Sequence, residues 1–109
     1  MSQTINLIDA RQNVVAVATV DDKGSYFSGT VSVDRMPEPM LKTFEQYESL
    51  INDQVLSLLD EIEQCIDGML LTAVFGDGHA IFAADLQIFP KAGTISFKVA
   101  PQRVSSPKV

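Results

Sequence analysis

From Met40 to Met69 apolar residues recur every three or four positions, and on both sides of that stretch the pattern changes to alternation or to short apolar runs. With successive residues about 100° apart around a helix axis, Met40, Leu41, Phe44, Tyr47, Ile51, Val55, Leu58, Leu59, Ile62, Cys65, Ile66 and Met69 lie within roughly 60° of one line. Glu45, Asp53, Asp60, Glu61, Glu63 and Asp67 project from the flanks and the back. The spacing predicts one long amphipathic helix over residues 38–67. Pro39 suits its first turn, where a missing N–H is no loss, and Glu38 complements the positive helix end. Gly68 is placed to end it in the left-handed conformation. A helical hairpin broken near Ser49, Asn52 and Asp53 is the competing reading, but no Pro or Gly lies there to break it.

Outside the helix the period shortens to that of strands. Gln12 to Asp21 is rich in β-branched residues, and Asp22-Lys23-Gly24 turns the chain, with Gly24 free to take a positive φ. Ser25 to Asp34 alternates Phe27, Gly29, Val31 and Val33 against Tyr26, Ser28, Thr30 and Ser32, which makes it the second arm of a hairpin. After the helix, Met69 to Phe75, Ala80 to Phe89 and Thr94 to Ala100 read as three further strands, joined by turns at Gly76-Asp77-Gly78-His79 and Pro90-Lys91-Ala92-Gly93. Ser2 to Asp9 is a weak lead-in whose Ile5, Leu7 and Ile8 add a short strand or pack across a sheet end. Pro101 to Val109 reads as a flexible tail.

The expected fold is therefore α+β: one domain over residues 1–100, a single antiparallel five-stranded sheet in the order β-β-α-β-β-β, with the long helix packed on one face. This order resembles in outline that of roadblock-type and profilin-like domains, a resemblance of topology alone. Short connections put the first strand beside either the third or the fifth. The first, third and fourth strands are apolar on both sides, whereas a sheet with one wet face alternates throughout. Part of the second face is accordingly expected to be covered. A straight helix of this length spans roughly 45 Å, against some 24 Å for five strands side by side. The simplest burial for the overhang is a second copy of the chain, since most oligomers are symmetric. Leu50, Leu56 and Ile62 are the expected dimer contacts.

Charge sharpens this picture. Between Glu38 and Asp67 there are eight acids against Lys42 alone, a local balance of −7 in a chain of 109 residues whose net charge is −6. The helix thus carries all the net charge. Nucleic acid is bound by clustered Lys and Arg, which are lacking, so nucleic-acid binding is not expected. No run of about 20 apolar residues is present for a membrane span. With the single Cys65, no internal disulfide can form, and the opening Met1-Ser-Gln-Thr-Ile-Asn lacks the basic and apolar regions of a signal peptide. These features predict a cytoplasmic protein.

Little in the chain points to catalysis or to a cofactor. Cys65 lies in the apolar stripe of an acidic helix, which reads as a buried, inert thiol. His79 neighbours Asp77 in a turn, with Asp85 the next carboxylate along, short of the converging ligands a metal site needs. Neither an EF-hand loop, nor a phosphate-binding glycine pattern, nor a Ser-His-Asp grouping can be built. Glu48 falls inside the apolar stripe, where a carboxylate needs a partner; Arg35, Lys98 or a base from a second copy are the candidates. No catalytic, metal or cofactor residue is assigned, and an enzyme is not favoured. The expected function is a non-enzymatic homodimeric interaction or regulatory module, in which Asp53, Asp60, Glu61, Glu63 and Asp67 present an acidic helix face to a basic protein partner. The alternative is a small-molecule-binding domain with a pocket between helix and sheet, for which the small residues Gly29, Ala73, Ala83 and Ala84 leave room.

Overall fold

The computed structural model describes residues 2–99. Its strands are β1 (Ser2–Ile8), β2 (Val14–Asp22), β3 (Phe27–Ser32), β4 (Thr72–Phe75), β5 (Ala80–Phe89) and β6 (Thr94–Val99), with helices α1 (Glu38–Asn52) and α2 (Leu59–Gly68) between β3 and β4. All neighbours are antiparallel, and the sheet closes on itself in the order β1-β2-β3-β6-β5-β4. A closed six-stranded barrel with two short helices thus replaces the expected open five-stranded sheet with one long helix. The physical reason is β1. Ile5 and Leu7 are the only buried side chains in it, too short an alternation to stand out against its polar neighbours. Yet the strand pairs on both edges, with β2 from Ser2↔Asp21 to Ile8↔Val14 and with β4 from Ile5↔Phe75 to Ile8↔Thr72. Closure leaves no unpaired strand edge. It also places β3, not β2, beside β6, so neither expected neighbour of the first strand holds. The likeness of order to roadblock-type and profilin-like domains ends with the open sheet.

Register sorts the barrel's interior. Ile5, Leu7, Ala16, Ala18, Val20, Ala73, Phe75, Ile88, Ile95 and Phe97 are buried, and Phe27 packs between Phe75 and Phe97, with ring centroids 5.4 and 5.3 Å away. Small side chains keep this interior narrow. At Gly29, opposite Val20, a Cβ would lie 1.9 Å from the Thr19 carbonyl oxygen, so only glycine fits. Ala73 and Ala83, expected to leave a pocket, are instead buried parts of this packing.

The helices lie against the outside of β5, where Tyr47 and Phe89 meet with centroids 6.1 Å apart. Phe44, Tyr47, Ile62 and Ile66 bury the apolar stripe as the sequence spacing predicts. The stripe is nevertheless carried by two helices, of 15 and 10 residues, which turn back on each other so that the Tyr47 hydroxyl meets Glu63; the single straight helix is thus overturned in favour of the competing break after Asn52. At the break Gln54 takes φ 59°. The Gln54 N–H donates to the Ile51 carbonyl at 3.1 Å and the Val55 N–H to the Leu50 carbonyl at 2.9 Å. This is the Schellman arrangement, which satisfies the last carbonyls of α1, with glutamine where glycine is usual. A second non-glycine substitutes at the end of α2: Gly68 is still helical, and Leu70 takes φ 53°. Among the described residues no helix is long and apolar enough to cross a membrane. The predicted tail, Pro101 to Val109, lies outside the described residues.

Glu48 shows how the helices are fastened. It is buried, and its two carboxylate oxygens accept the backbone N–H groups of Lys91 and Ala92 at 2.9 and 3.1 Å. Its partners are thus the β5–β6 turn and not Arg35, Lys98 or a second copy.

Candidate binding cleft between the second helix and the barrel

On α2, Ile62 and Ile66 lie one turn apart and face the barrel. Glu63 and Asp67 follow each of them by one residue, about 100° around the axis, which puts both carboxylates at the edge of the contact. The opposite wall comes from β5 and β6. Register slips between Ala84 and Gln87, and Asp85, at the slip, takes φ 49°. A bulge of this kind re-aims the side chain it carries. Between these walls lies a cavity of 260 Å³, lined by Tyr47, Glu63, Ile66 and Asp67 from the helices, Tyr26 from the β2–β3 turn, and Asp85, Leu86, Gln87, Ser96, Phe97 and Lys98 from the barrel. A shallower groove continues from Gln87 and Ser96 over the outer polar face of β3 and β6, past Ser28, Thr30, Thr94 and Phe89.

The cleft is acidic and aromatic. Three carboxylates face one cation, Lys98, whose ammonium lies 3.5 Å from Asp85. Tyr47, buried beneath, donates its hydroxyl to Glu63 at 3.3 Å. Burial first, then the nearby Glu63 carboxylate, push its phenol up to about 12, so at neutral pH it remains a donor. The volume is a little below the roughly 300 Å³ at which drug-sized pockets begin.

The five acids expected to face a partner are all exposed, but the structure divides them. Glu63 and Asp67 line the cleft, with Asp60 on the same flank of α2; Glu61 points to the other side and Asp53 caps the end of α1. Among the described residues none of these five forms an ion pair. The expected dimer contacts divide as well: Ile62 is buried in the chain's own core, Leu50 is half-buried against it, and Leu56 is exposed. Cys65, expected in the core, is exposed; the break in the helix moves the stripe off it.

At the β4–β5 turn, Asp77 accepts the His79 backbone N–H at 3.0 Å, which together with the ring nitrogen 2.7 Å away holds its carboxyl below the usual range. The His79 ring stacks on Phe75 at 4.5 Å. These contacts make a well-tied turn. Among the described residues no three His, Cys, Asp or Glu side chains converge as metal ligands do.

That Tyr26, Asp85, Gln87, Ser96 and Lys98 neighbour α2 was not legible in the sequence. Asp85 carried a signal, since a charged residue in the middle of Ala80–Phe89, otherwise mostly apolar, breaks the strand's pattern where the bulge lies. No protein-family model, curated protein or solved structure matches this chain.

Proposed function

We propose that this protein is a non-enzymatic binding module whose cleft takes a small organic cation, an amine or guanidinium carried on an apolar or aromatic body. The observation behind this reading is the lining itself: Glu63, Asp67 and Asp85 beside the exposed ring of Tyr26, with the Tyr47 hydroxyl beneath them and Lys98 engaged by Asp85. Carboxylates select the charge, and tyrosine faces attract cations once water is displaced. Calorimetric titration with tyramine, uncharged para-ethylphenol and anionic para-hydroxyphenylacetate separates charge from shape. Binding of tyramine alone, lost in Asp67→Asn and Asp85→Asn, is expected. Equal binding of all three, or of none, overturns the reading.

A second reading is an interaction module that presents the acidic helices to a basic protein. It draws on the exposure of Asp53, Asp60, Glu61, Glu63 and Asp67 without ion-pair partners among the described residues. Helices of 15 and 10 residues do not outrun the barrel as one of 30 would, so no overhanging helix calls for a second copy to cover it. What remains for self-association is the exposed apolar turn between them.

A further inference from the structure

That turn carries more than a break in a helix. Val55, Leu56 and Leu58 are 36%, 66% and 45% exposed, three large apolar side chains within four residues. Single exposed leucines are ordinary on a protein surface, whereas a cluster marks a contact site. The turn is also held in shape. Asp53, Gln54 and Val55 donate to the carbonyls of Ser49, Ile51 and Leu50, and Leu56–Leu58 forms a short 3-10 turn running into α2. The apolar side chains are thus displayed on a fixed backbone.

The surroundings say what can cover them. Asp53, Asp60 and Glu61 flank the cluster, all exposed, and no Lys or Arg occurs between Lys42 and Lys91. A second copy placed face to face would set these acids against their own kind. An anionic membrane surface would meet the same repulsion. A chain that offers apolar side chains flanked by Lys or Arg meets attraction at the centre and at the rim. Resting on the second reading above, we infer that the Val55–Leu58 turn docks a basic amphipathic segment of a partner protein. The site is separate from the cleft, because none of the cleft's lining residues belongs to it.

The test uses the full chain and two labelled synthetic helical peptides with the same leucine pattern, one with lysine and one with glutamate on the polar face, followed by fluorescence anisotropy. The lysine peptide is expected to bind and the glutamate peptide not. Leu56→Ser with Leu58→Ser is expected to weaken binding by about tenfold or more, the scale of losing one or two buried leucine contacts. Asp60→Lys with Glu61→Lys is expected to weaken it further at low salt, and Asp85→Asn, in the cleft, to leave it unchanged. Should the double serine change lower the melting temperature, Leu56→Ser alone, at the most exposed position, carries the same readout. Equal binding of both peptides, or lysine-peptide binding indifferent to the serine changes, overturns the proposal. So does a dimer in sedimentation that the serine changes dissolve, since a second copy would then be the occupant.

Discussion

Glu48 and Tyr47 are adjacent in the chain, and each joins the helices to something the sequence could not name. Glu48 is a buried carboxylate whose only described partners are two backbone N–H groups of the β5–β6 turn. Glutamine there offers one acceptor and turns its amide group toward a donor. Such a mismatch costs about 2 kcal/mol, so Glu48→Gln is expected to lower the melting temperature by on the order of 10 °C in a domain of this size. Tyr47 bears on the alkaline limb. Its phenol is raised from 10.0 to about 12 in the folded protein, so the native state holds this proton more tightly than the unfolded chain. Stability from this source is full below about pH 10 and is lost as pH rises through about 12. Denaturation at a series of pH values checks this, and Tyr47→Phe is expected to flatten that part of the profile. The apolar spacing marked both positions as facing the core. That one would carry a carboxylate onto a turn 43 residues away was not legible, because a stripe records which side is buried and not against what.

At the scale of elements, the break in the helix is the instructive case. Every local indicator favoured continuity: the apolar period ran through, and neither Pro nor Gly intervened. The chain breaks there by placing Gln54 in the left-handed region, at a cost of roughly 1 kcal/mol for a residue with a Cβ. Packing outweighs that cost, because the break lets α2 turn back beside α1, with the Tyr47 hydroxyl reaching Glu63 at 3.3 Å, so that both helices rest on β5. Gln54→Gly removes the strain at the price of a more flexible unfolded chain. A net gain of about 0.5 kcal/mol, read from a shift in the urea midpoint with unchanged slope, is expected. A loss would mean that the Gln54 side chain contributes contacts that outweigh the strain. The strands were more legible than the helix. Ala80–Phe89 has the bounds its pattern implies, and Gly24 takes its expected positive φ of 96°.

For the whole molecule, closure rests on the element that looked weakest. Removing residues 2–8 would expose the facing edges of β2 and β4 and delete Ile5 and Leu7, which are 1% and 0% exposed. Losing two such side chains costs several kcal/mol, comparable with the 5–15 kcal/mol that holds a typical domain together. The truncated chain is expected to lose its cooperative melting transition and near-ultraviolet circular dichroism. A cooperative melt in that variant would show that an open sheet suffices. The cleft belongs to this scale too, since its acids come from α2 and from a bulge 18 residues beyond Asp67, brought together only by the packing of α2 on β5.

Local pattern accounts for the strands from Val14 onward, the hairpin turns, the apolar stripe and the concentration of negative charge on the helical segment. These follow from periods of two and of about 3.6 residues and from charge counts, all local quantities. Tertiary structure alone decided that the sheet closes, that the helix breaks at Gln54 and that Asp85 stands opposite Glu63 and Asp67. Each is settled by pairing or packing between residues far apart in the chain. A weak strand gains its energy from two neighbours at once, and a strained residue is tolerated when it lets two helices pack on one another and on the same strand.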